Sequence, residues 1–221
     1  MRFSLLRRLA VLALLAVFAC VLGGCWNPFA PPGGGGGGDT SADYRVRTSP
    51  ENVLHNIRTA YEYKNAFEYL DCLSEDFTFY PHEDDVNDPE ANIPPEWYKA
   101  DETLMHNNMF DDNSNVDSIT LTLTDRNVVH EVGDPQDPSD DVYIYIENVD
   151  LRVNQSGGLT LAATTPSEFR FRIDIDQTGP NGETLWEIFK WYDLGDRGAR
   201  GSQDPEEERM SLSQLKARYA D

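Results

Sequence analysis

The spacing of apolar residues divides the chain into a helical first half and a strand-forming second half. Ser49-Pro50-Glu51 reads as a helix start: a hydroxyl to cap free backbone N–H groups, a proline whose missing N–H costs nothing there, and an acid near the positive end. Val53, Ile57, Ala60 and Tyr61 follow at spacings of four, seven and eight, which places them on one helical stripe. Ala66, Phe67, Leu70 and Leu73 predict a second short helix, and Asp76-Phe77-Thr78-Phe79-Tyr80 alternates as a strand that stops at Pro81. After an acidic, proline-bearing loop from His82 to Pro95, Glu96 to Phe110 is helical again, with Trp97, Ala100, Leu104 and Met105 on one side. Beyond Asp111 the period falls from about 3.6 to about 2. Ile119, Leu121 and Leu123 alternate with threonines, Val142 to Val153 is a long strand, and Phe169, Phe171, Ile173 and Ile175 alternate with Arg170, Arg172, Asp174 and Asp176. Pro180-Asn181-Gly182 turns into a strand from Leu185 to Leu194. Helices first and strands last is the α+β order, in which helices gather on one face of an antiparallel sheet. A final helix is expected from Asp204-Pro205-Glu206-Glu207 onward, with Leu212, Leu215 and Tyr219 sharing a face that packs back on the domain or meets a partner; Lys216 and Arg218 suit its C-terminal end.

The first residues add a location. Arg2, Arg7 and Arg8 precede an apolar run, Leu9 to Leu22, shorter than the roughly 20 residues a membrane span needs. Leu22-Gly23-Gly24-Cys25 resembles the lipobox of bacterial lipoproteins, which implies cleavage before Cys25 and acylation of its thiol. Val17-Phe18-Ala19-Cys20 fits less well, because bulky Phe18 stands where a small residue is preferred. Two or three acyl chains exceed what stable anchoring requires. Trp26 follows the cysteine in place of an aspartate that would mark inner-membrane retention, so the expected location is the outer membrane facing the periplasm. Pro31, Pro32 and the glycines Gly33 to Gly38 make a flexible tether. The organisation is thus a signal peptide over residues 1–24, a lipidated cysteine and tether over 25–48, one folded domain over 49–195, and a linker with a C-terminal helix over 196–221.

Charge narrows the partners. The formal net charge is −21, and removing the three arginines of the signal leaves −24. That excess repels nucleic acid and anionic lipid surfaces, so membrane contact is assigned to the anchor. Cys72, the cysteine left after Cys20 departs and Cys25 is acylated, is expected to pack as a small apolar side chain. The residues Asp111, Asn113, Asn115 and Asp117 have the alternation that opens a calcium loop, but Val116 stands where glycine is needed and Thr122 where a bidentate glutamate belongs. No metal or cofactor is therefore assigned. His55 and His106 fall off the apolar arcs of their helices and read as surface residues.

The opening helix ending Ala60-Tyr61, the run Phe67-Glu68-Tyr69-Leu70 leading to Leu73-Ser74-Glu75-Asp76-Phe77, and the strand Leu185-Trp186-Glu187-Ile188-Phe189-Lys190-Trp191-Tyr192-Asp193 together resemble the NTF2-like, or SnoaL-like, superfamily. That resemblance spans about Pro50 to Leu194. It implies a cone: a curved antiparallel sheet wrapped around N-terminal helices, with a cavity between. Projection of Glu96 to Phe110 places Asp101 and Asn108 within the arc of Trp97, Leu104 and Met105. On the long strand, Glu147 is the charge in the row of Tyr143, Tyr145, Val149, Leu151 and Val153. It either enters the cavity or marks a bulge that turns it outward, because Ile144 and Ile146 compete for the inward face before it. The expected pocket is therefore Trp97, Asp101, Met105, Asn108, Tyr145 and Glu147. Two readings follow: a non-catalytic binding or scaffolding module for a small apolar ligand or an envelope protein, or a tethered enzyme using Asp101 and Glu147 with Tyr80 or His82. The resemblance also admits a homodimer through the outer sheet face.

Overall fold

Helix α1 (Pro50–Glu62) forms where the stripe places it, with the Ser49 hydroxyl accepting the Asn52 N–H at 3.3 Å. The structure, a computed structural model, describes residues 42–130, 142–195 and 206–220. The signal segment, Cys25, the tether as far as residue 41 and the segment 196–205 lie outside the described residues. Val53, Leu54, Ile57, Ala60 and Tyr61 of α1 are all buried. Helix α2 (Ala66–Asp71) is capped by the Asn65 side chain, which accepts the Glu68 N–H. Its inward residue is Tyr69, while Phe67 of the expected stripe is 71% exposed. The helix ends before Leu73, so no second turn continues that stripe; Leu73 opens the first strand instead.

Strand β1 (Leu73–Tyr80), a short helical turn α3 (Glu83–Val86), strand β2 (Trp97–Tyr98) and helix α4 (Lys99–Phe110) complete the first half. The second half is β3 (Val116–His130), β4 (Val142–Gln155), β5 (Thr160–Thr178), β6 (Thr184–Asp193), β7 (Glu207–Arg209) and helix α5 (Leu212–Ala217). The sheet runs β2-β1-β6-β5-β4-β3, with β7 beside β5. Pairing is antiparallel except that β1 lies parallel to β6, and β7 parallel to β5. The fold is α+β, a curved and unclosed sheet around helices, as the resemblance implied.

Curvature enters at register breaks. One falls between Ile146 and Val149 of β4, and others between Arg170 and Phe171 and between Asp174 and Thr178 of β5. The first adds one residue to β4, the second adds Phe189 on the facing β6, and the third leaves residues 175–177 of β5 unpaired; such breaks bend and twist the strands. The first decides between the two placements of Glu147: Ile144 and Ile146 are buried before the break, Val149, Leu151 and Val153 after it, and Glu147 is exposed on the bulge. The break near Asp174 ends the alternation on β5. Ile175 is 90% exposed, while Asp174 is buried with Arg47, whose guanidinium lies 3.5 Å from it and 3.3 Å from Asp71. Phe77, Phe79, Phe169, Phe171, Ile188 and Trp191 are buried in one core with Val53, Ile57 and Tyr61 of α1 and Met105 and Met109 of α4. Cys72 is buried as an apolar side chain, and burial pushes its thiol well above the usual range.

The C-terminal helix is shorter than expected. β7 occupies residues that were to open it, and its start is the Ser211-Leu212-Ser213-Gln214 capping box, in which Ser211 caps the Gln214 N–H at 3.0 Å and Gln214 reaches back to Ser211. Leu212, Leu215 and Tyr219 turn into the cone rather than toward a partner.

Candidate functional site: the polar interior of the cone

The phase of α4 determines which polar groups enter the cone. Trp97 is not part of the helix but of β2, where Phe79 pairs with it in register. Tyr98 then caps α4, its N–H donating to Asp101 Oδ2 at 2.8 Å. Held at that first turn, Asp101 is exposed, Leu104 is 51% exposed, and the inward face becomes Glu102, Met105, His106, Met109 and Phe110. The arc is rotated from the sequence projection because Trp97 does not share the helix axis. His106, expected at the surface, is fully buried.

Three helices and one C-terminal side chain meet there. Tyr69 of α2 donates its hydroxyl to Glu102 Oε2 at 2.8 Å and stacks on His106 with ring centroids 3.6 Å apart. His106 Nδ1 lies 2.9 Å from the Glu102 carbonyl, and Nε2 lies 2.8 Å from the Tyr61 hydroxyl of α1. From α5, Lys216 places Nζ 2.6 Å from Glu102 Oε1, both side chains fully buried. The same ammonium lies 3.9 Å from the Phe79 ring centroid and 4.3 Å from that of Trp191. A second carboxylate braces α5: Asp193 at the end of β6 accepts the Ser213 hydroxyl at 2.9 Å, and it also accepts the Gly195 N–H at 3.1 Å.

Burial sets the protonation states. Desolvation and the nearby Glu102 charge push the Tyr61 and Tyr69 phenols well above their ordinary value. Burial, reinforced by Lys216, holds His106 well below its own. Burial draws Lys216 down while the Glu102 carboxylate opposes it. The interior therefore holds a carboxylate–ammonium pair, a neutral imidazole and two neutral phenols, each given a partner by the chain itself. The network binds its own members.

The residues singled out from the sequence are distributed differently. Trp97 and Met105 share the core. Asn108 is half-buried and donates to the Tyr219 carbonyl at 2.9 Å. Asp101 caps α4 at the surface, Glu147 is exposed, and Tyr145 is half-buried on the outer side of the sheet, paired in register with Glu168. Tyr80 stacks on Tyr192 at 4.6 Å, and His82 caps α3 by accepting the Asp84 N–H at 3.3 Å. The pocket drawn on Asp101, Asn108, Tyr145 and Glu147 thus does not assemble, because helix phase and strand bulge turn its carboxylates outward. Lys216, expected to decorate a helix end, is a core residue. Its inward position was legible in one respect, since Leu212, Leu215 and Lys216 fit a single helical face once the capping box fixes where the helix starts.

No protein-family model matches the chain, and no curated protein sequence does. Some solved structures are similar to it. A Novosphingobium aromaticivorans protein provisionally called an aromatic ring hydroxylase is 15% identical, with 68% of this chain and 90% of that one covered and a TM-score of 0.47. A Mycobacterium tuberculosis protein of unknown function is 10% identical, covering 77% and 83%, with a TM-score of 0.46. An NTF2-like protein of unknown function from Pseudomonas putida is 9% identical, covering 71% and 87%, with a TM-score of 0.42. These likenesses carry no activity over to this chain.

Proposed function

We propose that this chain is a lipid-anchored extracytoplasmic protein whose cone serves as a non-catalytic binding or scaffolding module for another envelope protein. The observation that carries the second part is the position of Lys216: α5 fills the interior where a substrate or apolar ligand would otherwise lie, and every titratable group beside it has a partner from the chain. The carboxylates that an enzyme would draw on, Asp101 and Glu147, are exposed and belong to different structural devices, a helix cap and a bulge. The lipobox-like Leu22-Gly23-Gly24-Cys25 supports the anchor. Among the described residues no helix is long and apolar enough to cross a membrane.

Two measurements test this. Incorporation of a fatty-acid analogue in a bacterial host is lost in Cys25→Ala and retained in Cys20→Ala; the reverse result defeats the anchor assignment. Native mass spectrometry of the chain beginning near Asp39 gives the mass of the polypeptide alone, whereas a stoichiometric small molecule held through purification defeats the scaffolding reading.

A further inference from the structure

The surroundings of Lys216 have a composition that recognises a particular kind of cation. An ammonium has three N–H donors. Here one meets a carboxylate at 2.6 Å and the rest of the head group lies against two ring faces, Phe79 and Trp191, at 3.9 and 4.3 Å. Such distances lie well within the range at which the negative face of an aromatic ring attracts a cation, and the attraction grows when water is excluded. Tyr69 fixes the second oxygen of Glu102, so the first remains aimed at the ammonium. Of the other titratable groups facing it, Asp193 adds attraction, while His106, Tyr61 and Tyr69 are neutral and add no competing charge. A lysine that only covers apolar surface would extend its head group to water. Lys216 is fully buried instead.

We propose that Glu102, Phe79 and Trp191 form an ammonium-binding site that the chain occupies in cis with Lys216, and whose external ligand class is a primary alkylammonium. The carboxylate supplies charge and one hydrogen bond, and the rings supply the remaining electrostatic shell. While α5 is docked, an outside amine is excluded by the chain's own. This inference goes beyond the envelope role proposed above and does not depend on it.

Lys216→Ala removes the ammonium with the three carbons before it, which n-propylammonium replaces. The amine is expected to raise the Tm of Lys216→Ala by about 3–5 °C when present at ten times its dissociation constant. The wild type, already occupied, does not respond, and neither does Lys216→Ala combined with Glu102→Gln. Neutral n-propanol moves none of them. A folded Lys216→Ala that ignores n-propylammonium overturns the proposal, as does an equal response to n-propanol or an equal response of the wild type. Should Lys216→Ala not fold, Lys216→Met keeps the alkyl stem and tests the carboxylate: its Tm falls below the wild type at pH 7, and adding Glu102→Gln to it recovers part of the loss. A Lys216→Met variant that tracks the wild type at pH 7 overturns the proposal equally.

Discussion

His106 accepts a hydrogen bond from the Tyr61 hydroxyl. Its Nδ1 faces the Glu102 carbonyl at 2.9 Å, and a carbonyl can only accept, so Nδ1 carries the proton and Nε2 receives the Tyr61 O–H at 2.8 Å. A charged imidazole would need Tyr61 to reverse its hydroxyl, and would set a second cation in the same interior as Lys216. The native state therefore resists protonating His106 below its ordinary value near 6.5, while the unfolded chain does not.

The sign of the pH dependence follows. Below about pH 6.5 the unfolded state binds a proton that the native state refuses, so stability falls as pH falls, by up to about 1.4 kcal/mol per pH unit from this group. Comparing the Tm of wild type and His106→Phe from pH 7.5 to 5 isolates it: the difference between the two should shrink toward acid pH. A constant difference would show that His106 is not held neutral.

Removing one partner of the buried pair leaves a desolvated charge. Glu102→Ala should cost about 3–5 kcal/mol in urea denaturation. Replacing both, Glu102→Leu with Lys216→Met, should cost less than either single change predicts by addition, because no charge is stranded. Strict additivity would mean that the two groups do not interact.

How much of this was legible beforehand depended on distance along the chain. The bulge at Glu147 could be read from Ile144 and Ile146, three residues and one residue away, and the strands from their alternation. The cone interior could not. Glu102 and Lys216 stand 114 residues apart, and nothing local marks an acid on one helix as the partner of a lysine on another. His106 was misplaced because helical projection gives relative angles, and the absolute phase was taken from Trp97, a residue that belongs to a strand. Taking the phase from Met105, Met109 and Phe110 would have brought both Glu102 and His106 inward.

The two carboxylates once paired in a pocket should behave unlike each other. Glu147→Ala, exposed on a bulge, should alter stability by no more than about 0.5 kcal/mol. Asp101→Ala removes the acceptor for the Tyr98 N–H and should cost about 0.5–2 kcal/mol. Urea denaturation of both variants checks this, and equal, large losses would place them in a common interior site.

Asp85 offers a stabilising change. Its carboxyl is buried, its Oδ2 has no hydrogen-bond partner among the described residues, and burial together with the charge of Asp193 raises its proton affinity. A raised value means that the native state favours the protonated form, so the charge is a cost at pH 7 that disappears toward acid. Asp85→Asn should therefore match or exceed the wild type by up to about 1 kcal/mol at pH 7 and lose that advantage near pH 4. A loss of stability at pH 7 would mean that the carboxylate is itself a needed acceptor for α5.

The placement of α5 has a consequence for the order of events in synthesis. A chain that emerges residue by residue makes Tyr61, Tyr69, Glu102 and His106 long before Lys216 exists. Until that lysine arrives the nascent sheet must enclose a bare carboxylate or stay open to solvent. Completion of the interior is thus deferred to the last described helix, and a product cut short ahead of it would carry an unfinished, water-seeking centre that proteases can recognise.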